Sequence, residues 1–368
     1  MLPYWIAFLI AATGALTERS RLPDLGVPPQ RPRGLNGTWW LVAVGLALFI
    51  GLRHEVGGDW GNYLNNLAEF DAKSFKDTLA LSPIQLLQSD PGYRLLEWLA
   101  SELEMGIYLV NTIGGALFAF GLVRFCRELP HPWLALLVSI PYLIIVVALG
   151  YTRQGVALGF VMLAFSAFVR ASVVKACVYV LLGALFHKSA FALIPLLILI
   201  GKGSTFVRLT VASVFIVAAT SLIYTESLLA FSSGYIEAAY QSEGALVRLA
   251  MNALPAMLLL FRCHRFPLTP LARSLWVSLA YLALAALLLY FVFPSSTAID
   301  RMALYVIPLQ LVVFAYVPLV YGGSRYGIFL RLGLTLYLAS VMAVWLFFAT
   351  HAYAWLPYRS AIFLALWD

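Results

Sequence analysis

Twelve apolar runs joined by short polar connections constrain the fold of this chain more than any other feature. The runs fall at about 2–16, 37–52, 106–123, 133–150, 154–169, 173–186, 189–201, 207–223, 245–261, 274–293, 302–320 and 327–350. A water-soluble domain that is 62% hydrophobic and 11% charged would expose apolar surface and aggregate. The sequence therefore predicts one all-α polytopic membrane domain over residues 1–368, with about 12 transmembrane helices. Several runs are shorter than the ~20 residues of a perpendicular span, so some helices are expected to be broken.

The charges between the runs predict which side of the membrane each connection faces. Alternate connections, beginning with 17–36, hold 15 of the 24 Lys and Arg residues but only three acids. The positive-inside rule places this set in the cytoplasm. The other set, which includes 53–105 and a second loop at 224–244, then faces the periplasm or the outside. The run at 2–16 has its basic residues after it, which predicts a retained helix with an outer N-terminus instead of a signal peptide.

The cysteines and the net charge argue against two other classes of protein. Cys126, Cys177 and Cys263 are far apart in sequence, so neither a disulfide framework nor a zinc-binding spacing is present. The formal charge of +7 comes from basic residues scattered singly between apolar runs. Membrane orientation explains this scatter better than a nucleic-acid surface does, and no nucleic-acid partner is expected.

The outer loop 53–105 opens with a glycine-rich acidic stretch, which we interpret as the active-site loop. Its glycines allow tight turns with positive φ, so the backbone can approach a bulky ligand while Asp59 is aimed at it. Trp60 and Tyr63 add flat faces of the kind on which sugars stack. The alternative is an ordinary turn in which Asp59 caps a helix. Further along the loop, Pro91 begins a predicted amphipathic helix that leads back to the membrane.

Several basic residues on the outer side lie at the starts of predicted helices. They are Arg153, the pair His187 and Lys188, Arg248, and Arg301. A cation at a helix N-terminus adds to the positive end of the helix dipole, which is unfavourable unless an anion is nearby, and a phosphate is the simplest such anion. Each has an alternative: Arg153 and Arg248 snorkelling to lipid headgroups, His187 as an interfacial histidine, and Asp300–Arg301 as a local ion pair.

Four segments together resemble the EpsG family of exopolysaccharide polymerase-like proteins, which are related in role to Wzy-type polymerases. Residues 53–63 look like that family's arginine and glycine-x-aspartate element, and 90–96 like its glutamate-proline-glycine-tyrosine element. Residues 151–157 are similar to its arginine-glutamine helix start, and 185–190 to its histidine-lysine-serine turn. Two positions differ from the family pattern: Trp60 replaces a tyrosine and Asp90 replaces a glutamate.

The resemblance implies a glycosyltransferase with a GT-C-like membrane fold. It would join undecaprenyl-diphosphate-linked oligosaccharide repeat units at the periplasmic face of the bacterial inner membrane. Its expected partners are that lipid-linked oligosaccharide, membrane lipids, a chain-length regulator and export machinery. No cofactor is expected and a metal-independent reaction is favoured. Glu55, Asp59 and Asp90 are candidate ligands for a divalent ion, but one carboxylate per motif falls short of a recognisable metal site.

The same resemblance, combined with the residue types, gives each candidate side chain a role. Asp59 positions or deprotonates the acceptor hydroxyl, and His187 is the alternative base. The expected ligands of the diphosphate are Arg153, Lys188, Arg301, Arg53 and Arg94. The expected ligands of the sugar are Trp60, Tyr63, Gln154 and Tyr93.

Rival classes of function follow from the same hydropathy. A flippase or transporter for a lipid-linked glycan would also place cations in membrane helices, but in a central cavity open to both sides. A polysaccharide acyltransferase would use His187 as its base and would need a path for an acyl donor from the cytoplasm. A purely structural membrane subunit is the remaining alternative.

Overall fold

The computed structural model describes residues 1–19, 34–72, 89–201, 203–230, 244–293 and 296–366. Its regular elements are helices, apart from one pair of two-residue strands, β1 (Arg53–His54) and β2 (Arg359–Ser360). The α-helices are α1 (Leu2–Thr17), α2 (Gly37–Gly51), α3 (Trp60–Ala72), α4 (Pro91–Glu102), α5 (Gly106–Arg127), α6 (Pro132–Ser139), α7 (Thr152–Val169), α8 (Val173–Ala184), α9 (Leu193–Ile200), α10 (Thr205–Ala230), α11 (Ala245–Phe261), α12 (Pro270–Tyr290), α13 (Ser296–Ala303), α14 (Pro308–Val317) and α15 (Gly323–Phe348). Two π-helical segments, Ile140–Ala148 and Pro318–Gly322, continue α6 and α14, and a 3₁₀ turn, Lys188–Ala192, precedes α9.

Each predicted apolar run is helical, which confirms the all-α class. Among the described residues, four helices are long and apolar enough to cross a membrane, namely Gly106–Arg127, Thr152–Val169, Pro270–Tyr290 and Tyr326–Phe348. A fifth span results if Ser296–Val306 and Pro308–Gly322, which are bent by 48° at their junction, count as one. Seven further apolar helices are shorter, at 10–17 residues. Twelve crossings and the GT-C-like arrangement stay predictions.

Glycines bring the backbones of α5 and α7 into direct contact. A Cβ added to Gly121 would lie 2.2 Å from the carbonyl oxygen of Gly159, and one added to Gly159 would lie 2.8 Å from the Cα of Phe118. Small residues at such crossings let membrane helices pack closely. The close crossing places Thr152, the first residue of α7, beside Asn111 in α5, and Thr152 Oγ1 donates to Asn111 Oδ1 at 3.1 Å.

The segment after α15 folds back onto the start of the outer loop. β2 pairs with β1 in antiparallel register, and the Ala361 N–H donates to the Leu52 carbonyl at 2.7 Å. The Tyr4 hydroxyl of α1 donates to the carbonyl of Trp355 at 2.6 Å. In the structure this segment therefore forms a wall of the outer loop.

The outer loops are described only in part. The predicted amphipathic helix after Pro91 is confirmed as α4, which buries Tyr93, Leu96 and Ala100 on one face. Residues 73–88 of the first outer loop and 231–243 of the second lie outside the described residues.

Candidate active site

Arg53 fixes the base of the glycine-rich loop. Its side chain is 1% exposed, and its guanidinium donates to the carbonyls of Ile50 (2.6 Å) and Val56 (3.1 Å). It also donates to Asn111 Oδ1 (3.0 Å) and to Thr152 Oγ1 (2.7 Å). A buried guanidinium is stable only when hydrogen bonds compensate its lost hydration, and these four supply that compensation. Arg53 therefore joins α2, α5 and α7 beneath the loop, and its donors are used within the protein.

Gly57 gives the loop its sharp turn. Its φ of +108° is disfavoured for residues with a Cβ, and a Cβ there would lie 2.3 Å from the carbonyl oxygen of Leu149. The Gly57 N–H donates to the carbonyl of Ala354 at 2.8 Å, and the Gly57 carbonyl accepts from the Trp60 N–H at 3.1 Å. The loop is thus pressed against the end of the Ile140–Ala148 segment, and Asp59 lies in the turn just before α3.

Asp90 joins three separate segments at one point. It caps α4 with a left-handed backbone (φ 53°) and is 7% exposed. Its carboxylate accepts from the backbone N–H of Lys188 at 3.2 Å and pairs with the Arg153 guanidinium at 3.4 Å. The adjacent Gly92 N–H donates to the Leu185 carbonyl at 2.8 Å. These contacts explain why the proline-glycine motif and the histidine-lysine turn, about 95 residues apart, belong to one site.

Arg153 lies over two neighbouring tyrosines, whose rings are tilted by 45° to each other. Its Cζ is 4.6 Å from the ring centroid of Tyr93 and 5.8 Å from that of Tyr63, and the two rings are 5.6 Å apart. Tyr63 and Tyr93 are 5% and 1% exposed, and their ring faces contact Arg153. Beside them, Glu97 is 1% exposed and both its carboxylate oxygens lack a hydrogen-bond donor among the described residues. Burial raises the pKa of Glu97.

Arg301 is held by its backbone and left exposed at its side chain. Its carbonyl accepts from Gln154 Nε2 at 3.0 Å, so Gln154 positions α13. The neighbouring Asp300 pairs in bidentate fashion with Arg248 of α11, at 2.8 and 2.7 Å. Asp300 therefore pairs with Arg248 and not with Arg301, which answers two of the alternatives raised by the sequence. A hydrogen bond from Asn252 to the Ala303 carbonyl (3.1 Å) adds a second link between α11 and α13.

Asp59 and His187 share an electrostatic environment. Burial raises the pKa of Asp59, and the charges of Arg301 and Arg153, together with a hydrogen bond from Asn62, oppose part of that rise. Burial, and to a smaller extent the charges of Arg301, Arg153 and Lys188, lower the pKa of His187 to about 4. One acid and one neutral imidazole are therefore close to the same cations. We call Arg153, Lys188 and Arg301 the cation cluster.

The predicted site residues separate into three groups by position. In the first group, the charges of Arg153 and Arg301 act on both Asp59 and His187, and Lys188 directly follows His187 in the chain. Arg53, Tyr63, Tyr93 and Gln154 are buried and hold this group in place, so a direct contact with the diphosphate or the sugar stays a prediction for them. Arg94 is 3.6 Å from Glu97 on α4. Trp60 is half-buried on the other side of the loop, beside His54 and Tyr108.

Sequence reasoning missed three contributors to this arrangement. Asp300 was weighed against its chain neighbour, although its partner Arg248 is 52 residues away. Glu97 lies within a motif that the sequence read only as an amphipathic helix. The hydrogen bond from the Gly57 N–H to the Ala354 carbonyl gave no sequence signal, because every residue has a backbone carbonyl. Among the described residues, no three His, Cys, Asp or Glu side chains group as ligands for a metal ion.

Comparisons with known proteins agree with this arrangement of motifs. The model of the EpsG family matches residues 38–360, which span the glycine-rich loop, the cation cluster and most of the segment that backs the loop. No curated protein and no solved structure matches the chain. Because the match covers most of the sequence, the chain belongs to the EpsG family of Wzy-like polymerases.

Proposed function

We propose that the protein joins oligosaccharide repeat units carried on undecaprenyl diphosphate, at the periplasmic face of the bacterial inner membrane. Membership of the EpsG family indicates an exopolysaccharide polymerase in general terms. One observation carries the more specific proposal: the charges of Arg153 and Arg301 act on both Asp59, an acid, and His187. A sugar-transfer reaction with a diphosphate leaving group needs a proton acceptor on one side of the reacting carbon and cations on the other.

The cation cluster is the proposed site of the diphosphate. As the glycosidic bond to the phosphate oxygen breaks, its electron pair goes to the diphosphate, and nearby cations stabilise that charge. Arg153 is the second residue of α7, and Lys188, whose N–H donates to Asp90, is the first residue of a 3₁₀ turn. The side chains of Arg153 and Lys188 are therefore the proposed ligands of the diphosphate. Asp90 and the two tyrosines hold Arg153 in a fixed orientation before substrate arrives.

Asp59 is the proposed base. The acceptor sugar hydroxyl attacks the anomeric carbon of the donor, and its proton passes to the Asp59 carboxylate. Burial raises the pKa of Asp59, which strengthens it as a proton acceptor. The imidazole of His187, with its pKa lowered to about 4, is neutral near pH 7 and is a weaker base. Its role in this scheme is to donate an N–H hydrogen bond to the diphosphate.

The direct test is incubation of the purified protein with synthetic undecaprenyl-diphosphate repeat units in the absence of nucleotide sugars. A ladder of longer glycans on lipid is expected. Arg153→Ala should stay folded in the membrane fraction while single repeat units on lipid accumulate. The matched control is Arg262→Ala, at the opposite end of the helices, where the guanidinium lies 4.8 Å from the Tyr321 ring centroid. Its ladder should equal that of the wild type.

Two outcomes would overturn the proposal. Wild-type protein that moves lipid-linked units across vesicle membranes without extending them would be a flippase. Wild-type protein that builds no ladder, but transfers an acyl group to the glycan, would be an acyltransferase.

A further inference from the structure

Three rings group beside the glycine-rich loop. His54 Nδ1 and the Tyr108 hydroxyl are hydrogen-bonded at 2.6 Å, and the two rings are nearly parallel, with centroids 6.2 Å apart. The Trp60 ring lies 5.8 Å from His54 and 6.3 Å from Tyr108. All three side chains are half-buried, so each is supported by the protein and keeps part of its surface open. We call these residues the aromatic triad.

An exposed ion pair borders the aromatic triad. Arg359 of β2 pairs with Glu55 at 2.7 Å, and the side chains are 39% and 55% exposed. Glu55 has a left-handed backbone (φ 52°) directly after β1, so the strand pair sets where its carboxylate lies. A carboxylate and a guanidinium side by side offer both acceptors and donors to neighbouring hydroxyl groups. Apolar ring faces beside such polar groups match the chemistry of a sugar, which has an apolar ring face and a polar edge.

The aromatic triad is also next to the proposed base. Trp60 directly follows Asp59 in the chain, while His54 follows Arg53, whose guanidinium is 6.0 Å from the Trp60 ring centroid. The buried Arg53 guanidinium thus supports the loop beside the aromatic triad, and Asp59 lies in the turn immediately before Trp60.

We propose that the aromatic triad, with Glu55 and Arg359 at its border, is the subsite for the acceptor saccharide. The inference rests on the proposed function, since it assigns the donor diphosphate to the cation cluster. The saccharide stacks on Trp60 and Tyr108 and hydrogen-bonds to the Glu55–Arg359 pair, which brings its attacking hydroxyl toward Asp59. The subsite recognises an uncharged oligosaccharide and makes no contact with the lipid that carries it.

Lipid contact is the competing explanation, because Trp and Tyr also accumulate at membrane interfaces. Such residues act individually around the helices of a membrane protein. Here the three rings are joined to one another, to the loop that carries Asp59 and to a strand pair, which favours a built binding surface.

The test compares two probes on purified full-length protein in detergent. One probe is the free oligosaccharide released from lipid-linked repeat units by mild acid, which carries neither lipid nor diphosphate. The other is undecaprenyl diphosphate without sugar. Binding of the first is followed by saturation-transfer NMR, and binding of the second by thermal stabilisation. Tyr108→Ala should weaken saccharide binding at least fivefold and leave undecaprenyl diphosphate binding within twofold of wild type. Arg301→Ala should do the reverse.

A second variant guards against a folding defect. Tyr108→Phe keeps the ring and loses the hydrogen bond to His54, so it should bind saccharide between the wild-type and Tyr108→Ala levels. Unchanged saccharide binding by Tyr108→Ala, with altered association to lipid vesicles, would assign the triad to lipid and overturn the inference. So would equal loss of both probes in folded Tyr108→Ala. Failure of the proposed function is distinct, because it shows as no ladder and no undecaprenyl diphosphate binding by the wild type.

Discussion

The two ends of the helices use cations in opposite ways. At the end remote from the site, Arg331 donates to the carbonyls of Ala15 (2.9 Å) and Glu18 (2.7 Å), where α1 ends. Arg208 likewise donates to the carbonyls of Leu199 and Gly201 at the end of α9. Positive charge at helix C-termini is favourable by the helix dipole. These guanidinium groups stabilise the protein itself.

At the site end, the cations lie at the starts of helical segments, where the dipole opposes them. Arg153 is the second residue of α7, and Lys188 is the first of its 3₁₀ turn. The protein tolerates this arrangement with carboxylates nearby, one of which, Asp90, is buried against both segments. Positive charge at the start of a helix is therefore a stronger indication of ligand binding than positive charge alone. Exchanging side chains at the two ends tests this distinction.

The largest effect is expected from Asp59→Asn. Loss of the base should lower the rate of glycan extension by ~10²–10⁴, because the amide cannot accept the acceptor's proton. The matched control is Glu128→Gln at the remote end, where the carboxylate pairs with Arg170. Extension rates of the control should stay within twofold of wild type. Equal rates for Asp59→Asn and wild type would remove Asp59 from the mechanism.

Arg301→Ala should separate activity from stability. The side chain is exposed, and we propose that its positive charge binds the diphosphate. Extension should fall by ~10²–10³, as for removal of one group that stabilises developing charge, with an unchanged melting temperature. Arg331→Ala should give the opposite pattern: a lower melting temperature and normal activity per folded molecule. If both variants lose activity and stability together, the two ends do not differ in the way described.

Arg53 lies at the site end, but we expect it to stabilise the fold, as the cations at the remote end do. Arg53→Met removes a buried charge and leaves four acceptor groups without their donor, so we expect unfolding to become easier by ~3–5 kcal/mol. Arg53→Lys keeps the charge and should recover part of the loss. Chemical denaturation of the purified variants measures the effect. A stable Arg53→Met protein with weakened diphosphate binding would instead make Arg53 a substrate ligand.

The smallest expected effect is the pH dependence that His187 contributes to stability. Its pKa is about 4 in the folded protein and about 6.5 when unfolded. A lowered pKa means that stability is fully present above pH ~6.5 and is lost as the pH falls toward 4. Asp59 and Asp90, whose pKa values burial raises, contribute with the opposite sign. Melting curves of wild type and His187→Asn between pH 4 and 7 isolate the histidine, and parallel curves would contradict its burial as a neutral ring.

The sequence predicted the helices well because hydropathy determines them directly. Every apolar run is helical. The charges of Arg153 and Arg301 act on both Asp59 and His187, while the assignment of these four residues to one site stays a prediction. The predicted role of Arg53 is less direct in the structure, since periodicity cannot reveal that its guanidinium is used by Asn111 and Thr152.

Pairing between distant segments was beyond sequence reasoning for a physical reason. The Arg248–Asp300 pair depends on how α11 and α13 cross, and one sequence carries no record of that crossing. The buried faces of Tyr63 and Tyr93 were predicted to contact sugar because an aromatic residue in a polar loop has the same sequence signature in both roles. Only packing distinguishes a ring that supports Arg153 from one that is open, such as Trp60.

The hydrogen bond between Tyr4 and Trp355 spans 351 positions of the chain. The ribosome therefore delivers the partner of the first helix only after nearly every other helix has entered the membrane. Until residues 354–360 are synthesised, the Gly57 N–H lacks its acceptor, the Ala354 carbonyl, and β1 lacks its partner strand β2. The loop geometry therefore depends on a segment far along the chain, and a chain that stops before that segment carries every motif but lacks the carbonyl and the strand that hold the loop.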